Sequence, residues 1–258
     1  MIRPLLIIFL LSLAWPVFGQ DKAVSLCTYP HWAPYVHPDL PQGGLVTDII
    51  NQAFISQGYT VTIAWMPWAR ALASAKNAVC DGLTEAYYTP DRALWGRYSQ
   101  PYYEVQEAFY SRKNSRISYQ SLADLKPYRI GFIRGASVSA EFDTASFLNK
   151  TEVNSVRQGL IMLDRNRLDL IINNRLVIEF ELGNMEAENY GISDRLVMVN
   201  PYVTTRNLHV LFSKKSKNSQ ILILDFNKGL EKIKKNGVYD DILSKHINKN
   251  SAQLAPSL

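Results

Sequence analysis

Apolar and polar positions along the chain follow two periods in alternation, and the alternation runs through twice. Residues 24–28 form a short extended run, and 47–56 carry Ile49, Ile50, Ala53 and Phe54 on one helical face that Gly58 closes. Residues 61–65 then show a strand's period of two, 68–76 a second helix and 82–84 a third strand. After Leu122-Ala123-Asp124-Leu125 the pattern restarts. Residues 129–133 read as strand, 137–148 as mostly helix, 151–153 as strand, 158–165 as helix and 168–172 as a buried strand. Two βαβ sets predict an α/β protein of two parallel-sheet lobes. Between them, 108–111 and 208–213 are extended segments flanked by Lys or Arg, expected to be the two crossovers of a hinge. Lobe 1 is then expected over 21–108 plus 212–248, lobe 2 over 113–206, with 249–258 a C-terminal tail. The first lobe is discontinuous because a C-terminal helix and its Gly237-Val238-Tyr239-Asp240 turn return to it.

The start of the chain adds a compartment. Arg3, an apolar run over 5–15 and then Val17-Phe18-Gly19 make a positive region, a hydrophobic region too short to span a bilayer, and tolerated residues before a cut. A signal peptide over 1–19, cleaved near Gly19/Gln20, and a periplasmic protein are expected. Leu26 before Cys27 puts a bulky residue where lipid attachment wants a small one. No later run is long enough to cross a membrane.

With 258 residues, 47% hydrophobic and 20% charged, the chain can bury a sizeable core without staples. Much of the net charge of +5 comes from Lys214, Lys215, Lys217, Lys228, Lys232, Lys234 and Lys235. These sit at helical spacing among the apolar Leu222, Phe226, Leu230 and Ile233, and so read as a solvated helix face and not a nucleic-acid surface. Cys27 and Cys80 allow one bridge in an oxidising compartment, but a parallel register leaves their separation open. His31, His37, His209 and His246 show no ligating pair on a helix face, so neither a metal nor a cofactor is expected.

The stretch 81–103, DGLTEAYYTPDRALWGRYSQPYY, carries the most chemistry. Thr89 can cap a helix whose first position is Pro90, holding Arg92 on a rigid first turn, and a held guanidinium suits a carboxylate. Together with Trp32-Ala33-Pro34-Tyr35, Gly43-Gly44-Leu45 leading to Asp48, Pro67-Trp68-Ala69-Arg70, Ser121 to Leu125 and the Gly237 turn, this block resembles the family 3 periplasmic solute-binding proteins that feed ABC importers. The resemblance implies a periplasmic-binding-protein-like fold, with a ligand cleft between two lobes joined by a two-strand hinge. It also implies a monomer that captures a small polar solute, often an amino acid, by hinge closure. The partner would be a membrane ABC permease or a sensor, as a separate chain.

Carried over residue by residue, Trp32 stands where the family stacks an aromatic ring on the ligand, and Trp68 at a second apolar wall, with a core role as its alternative. Arg92 matches the carboxylate clamp, and Ser137, after Gly135-Ala136, a position that meets the same carboxylate. Glu85, Tyr87 and Asn174 depart from the small residue, the hydroxyl and the acid of ordinary amino-acid sites. Without that acid, an ammonium would have to turn to Glu85 on the opposite lobe, unless Glu85 pairs with Arg70 or Arg92. The expected ligand is therefore a small carboxylate-bearing solute other than a standard α-amino acid held in the usual way, with Glu85 taking a donor from it. Dehydratases acting on prephenate-like acids share this fold, and Glu85 or Glu179 would suit a proton transfer. No second catalytic group, nucleophile elbow or phosphate loop accompanies them, so no enzyme is expected. A sensing module that presents solute to a separate membrane receptor uses the same closed-lobe surface as import, and both readings stand.

Overall fold

The structure, a computed structural model, describes residues 22–134, 136 and 138–248; the expected signal peptide and C-terminal tail lie outside them. In the first half, β1 (Lys22–Thr28) runs parallel to β2 (Tyr59–Trp65) on one side and β3 (Gly82–Ala86) on the other. The crossovers are α1 (Leu45–Ile55) and α2 (Trp68–Lys76), whose apolar stripes face the sheet. After α3 (Pro90–Trp95), the short β4 (Gly96–Tyr98) and the long β5 (Tyr103–Arg112), the second half repeats the arrangement. There β6 (Arg129–Ile133) lies parallel to β7 (Asn149–Val153) and β8 (Leu170–Asn174), with α4 (Ala140–Thr144), α5 (Val156–Asp164) and α6 (Arg175–Ala187) around them. The chain returns through β9 (Leu196–Ser213), and α7 (Ser219–Lys235) and α8 (Val238–Leu243) dock back on the first half. The strand order is β2-β1-β3-β9-β5-β8-β6-β7, with β4 also on β9.

Each lobe has its own core. Leu26, Ile49, Phe54, Phe212 and Phe226 fill the first. In the second, Ile171 packs with Leu160 and Met185 while its neighbours Leu170 and Ile172 pack with Phe109 and Phe142, so β8 is buried on both faces. Helix α7 lies so close to α1 that a Cβ at Gly229 would stand 2.1 Å from the Ala53 carbonyl oxygen. Cys27 and Cys80 form a disulfide with Cα atoms 6.1 Å apart. Although Cys27 pairs in register with Leu83, the bend over 79–81 before β3 brings Cys80 to it.

Two sequence expectations are corrected. The segments 108–111 and 208–213 are not free crossovers: Ala108, Phe109 and Tyr110 pair with β8, while Leu211 and Phe212 pair with β3 and β4. The part of the β5–β9 ladder that pairs with neither lobe's remaining strands is 103–106 against 205–208. Ala108, Phe109 and Tyr110 are all buried, which is the signature of a central strand and not of an exposed link. The helix expected over 137–148 is only Ala140–Thr144, capped by the Ser139 hydroxyl. Phe142, Ala145 and Leu148 are all buried, but the last two occupy the turn before β7, where helical spacing in sequence imitates a helix.

Candidate ligand-binding cleft

The loop after β1 is pinned before it reaches the cleft. Gly44 has φ 98°, and a Cβ there would meet the Tyr35 carbonyl oxygen at 2.6 Å. The first two N–H groups of α1, from Leu45 and Val46, donate to the carbonyls of Pro34 and Tyr35 at 3.1 and 2.9 Å, which ties the loop to the helix start. Trp32 bridges to Val36 across this loop and packs on Tyr35 with ring centroids 4.5 Å apart. The indole is thus held by its own loop, partly buried and turned toward the second lobe.

On the facing turn, the Thr89 hydroxyl accepts from the Arg92 N–H at 3.2 Å, and Pro90 opens the helix. The Arg92 guanidinium donates to the Tyr87 carbonyl at 3.1 Å and lies 5.4 Å from the Trp68 ring centre. Among the described residues no carboxylate pairs with it. Trp68 has both roles weighed for it, packing against the satellite core of Ala71, Ala75 and Leu83 and also lining the cleft. A cavity of about 360 Å³ brings Trp32, Trp68, Glu85, Tyr87 and Arg92 together with Tyr29 and Leu208.

Glu85 is buried at the end of β3. Its carboxylate accepts from the Thr28 hydroxyl at 2.8 Å, from the Thr84 hydroxyl and from the Tyr29 N–H at 3.4 Å; neither Arg70 nor Arg92 reaches it. Burial pushes this carboxyl up to about 7, against the downward pull of those donors.

Asn174 lies in a second cavity of about 540 Å³ that shares Tyr29 and Trp32 with the first. Its amide is used on both sides: Trp32 Nε1 donates to Oδ1 at 3.1 Å, and Nδ2 donates to the Glu107 carboxylate. Glu107 stands directly opposite Asn174 in the β5–β8 register and is only 4% exposed. Burial pushes Glu107 up to about 7, with Arg206 and Asn174 pulling the other way. Arg206 Nη2 is 3.5 Å from Glu107 Oε1, and its guanidinium lies 3.8 Å from the Tyr87 ring centre, with a buried Nε–H that has no partner among the described residues. An ammonium therefore does not have to turn to Glu85 on the opposite lobe: each lobe keeps a buried carboxyl, Glu85 in the first and Glu107 in the second. Sequence reasoning missed Glu107, although its parity on β5 with buried Val105 and Phe109 was a usable signal. Ser137 and the preceding Gly135 lie outside the described residues.

The family model for bacterial extracellular solute-binding proteins, family 3, matches residues 24–249. The chain belongs to that family. A "Probable histidine-binding protein" of Neisseria gonorrhoeae is 22% identical over 251 residues, covering 94% of this chain and 89% of that protein. One of the same name from Campylobacter jejuni is 22% identical over 225 residues, 85% of this chain and 82% of that protein. Among solved structures, the L-cystine solute receptor of Neisseria gonorrhoeae in its unliganded open conformation superposes with a TM-score of 0.70 at 18% identity, over 90% of this chain and 95% of that one. The amino-acid ABC transporter substrate-binding protein AbpA of Streptococcus pneumoniae, bound to L-arginine, gives 0.65 at 18% identity, over 89% and 96%. The fold is that of a two-lobed periplasmic binding protein, the family is one of extracellular solute-binding proteins, and the relatives named above are amino-acid-binding proteins, not enzymes.

Proposed function

We propose that this family member, exported to the periplasm after removal of a signal peptide near Gly19/Gln20, captures a small carboxylate-bearing solute, an amino acid or a related compound, between its lobes. As a monomer it would hand the solute to an ABC permease that is a separate chain. The observation that carries this reading is Arg92: a cation on a capped turn, without a carboxylate partner among the described residues, at the wall of an aromatic cavity. A guanidinium so placed has donors to spare for a planar two-oxygen group. Trp32 and Trp68 supply the apolar walls, Tyr87 positions Arg92 through its carbonyl, and Glu85 takes a donor from the ligand. Relatives named for histidine and a neighbour holding L-arginine make these two amino acids the first to try. A thermal-shift screen of the purified protein against the standard amino acids, amine-free organic acids and carboxylate-free polar solutes such as sugars and polyamines tests the reading, because a ligand of the folded form raises the melting temperature by mass action. At least one carboxylate is expected to raise it. A panel in which only carboxylate-free solutes do so contradicts the reading.

A further inference from the structure

We propose that Glu107, on the hinge strand β5, receives the protonated α-amine of the ligand, in place of the residue at 174. The inference rests on the reading of Arg92 as carboxylate clamp and deepens it. Asn174 is not available: its Oδ1 is taken by Trp32 and its Nδ2 by Glu107, so its amide positions the glutamate and orients the tryptophan. Glu107 Oε1 carries both Asn174 and Arg206, while Oε2 takes no hydrogen bond from any described residue. This oxygen belongs to a side chain only 4% exposed that lines the interlobe cavity. A buried carboxylate with one oxygen unused is costly unless a donor arrives, and a charged donor is the strongest.

Arg92 and Glu107 line adjoining cavities that share Tyr29 and Trp32, and Tyr87 touches a cation on each side. Its carbonyl holds Arg92, and its ring carries Arg206, which in turn stands 3.5 Å from Glu107. An amine-bearing carboxylic acid lying across the shared wall of the two cavities would offer its carboxylate to Arg92 and its amine to Glu107. The structure therefore assigns the cleft to amine-bearing carboxylic acids, with the acid that the sequence lacks at 174 supplied by the neighbouring strand.

Matched pairs decide the matter. Each standard amino acid, and the acid lacking only its α-amino group, is titrated calorimetrically into the purified protein and its Glu107→Gln, Glu107→Asp and Arg92→Ala variants. The best-bound amino acid is expected to beat its amine-free partner by about tenfold or more in the parent protein, the gain of one charge-assisted bond. Glu107→Gln is expected to shrink that ratio to within about threefold while leaving the amine-free acid nearly unchanged, an effect that a merely structural counterion to Arg206 would not produce. Should Glu107→Gln melt early, Glu107→Asp carries the test: the shorter arm lowers the ratio. A ratio that survives these substitutions, or a parent protein with no preference for the amine, overturns the assignment. Arg92→Ala is expected to weaken both members of a pair alike, so its failure to do so overturns the clamp and not the role of Glu107.

Discussion

The Trp32 indole reaches across the cleft to the Asn174 side chain, donating at 3.1 Å from the loop after β1 to the end of β8. Because these elements belong to different lobes, this bond holds the two together, and it is worth about 1 kcal/mol or a roughly fivefold bias toward the closed form. Trp32→Phe keeps the aromatic wall and removes the donor. Small-angle scattering of the ligand-free variant is expected to give a larger radius of gyration than the parent; an equal value would mean that the bond does not hold the lobes.

Ligand is expected to act in the opposite sense. The ladder of 103–106 against 205–208 is expected to absorb a rotation of the lobes, since its strands pair there only with each other. Saturating ligand should compact the parent protein, visible as a smaller radius of gyration. An unchanged curve for both the parent and Trp32→Phe counts against a closing cleft.

Much of this arrangement was legible in the chain, and the gaps have physical reasons. Helix α2 and strand β6 fall where periodicity put them, the first because Pro67 precedes its opening turn and the second because its apolar run is short and bounded. The cap of Thr89 on Arg92 was readable from a Thr-Pro pair because capping is local chemistry. Glu107 was not, because its meaning depends on register: only the pairing of β5 with β8 sets it opposite Asn174, and register is a long-range property. Strand β9 hid the hinge for the same reason, its 18 residues serving both lobes.

The two buried carboxyls set a pH dependence. Glu85 and Glu107 are both raised by burial from 4.5 to about 7, so between those values the folded protein keeps protons that the unfolded chain has released. Their contribution to stability is present in full below about pH 4.5 and is lost as pH rises through about 7. Glu85→Gln removes one of the two titrations. Denaturant unfolding at about pH 5 and about pH 8 is expected to show a smaller loss of stability on raising the pH in the variant than in the parent, and an equal loss would contradict the assignment.

The disulfide closes a sequence separation of 53 residues within the first lobe. Restricting the unfolded chain in this way contributes about 4 kcal/mol. The Cys27→Ser, Cys80→Ser double variant is expected to unfold at clearly lower denaturant than the oxidised parent, while reducing agent lowers the parent alone. Coincident unfolding curves would show that the bridge adds nothing to stability.

Arg92 is proposed to bind the ligand carboxylate, and substitution at this one position is the sharpest test. Calorimetry of the best ligand from the screen against the parent, Arg92→Lys and Arg92→Ala is the measurement. Lysine keeps the charge but loses the two-pronged donor set, so binding about tenfold or more weaker is expected for it and a larger loss for alanine. Circular dichroism and melting curves like the parent's would accompany both, because among the described residues the side chain makes a single hydrogen bond, to the Tyr87 carbonyl. Arg92→Ala binding a carboxylate ligand as tightly as the parent does would contradict the account.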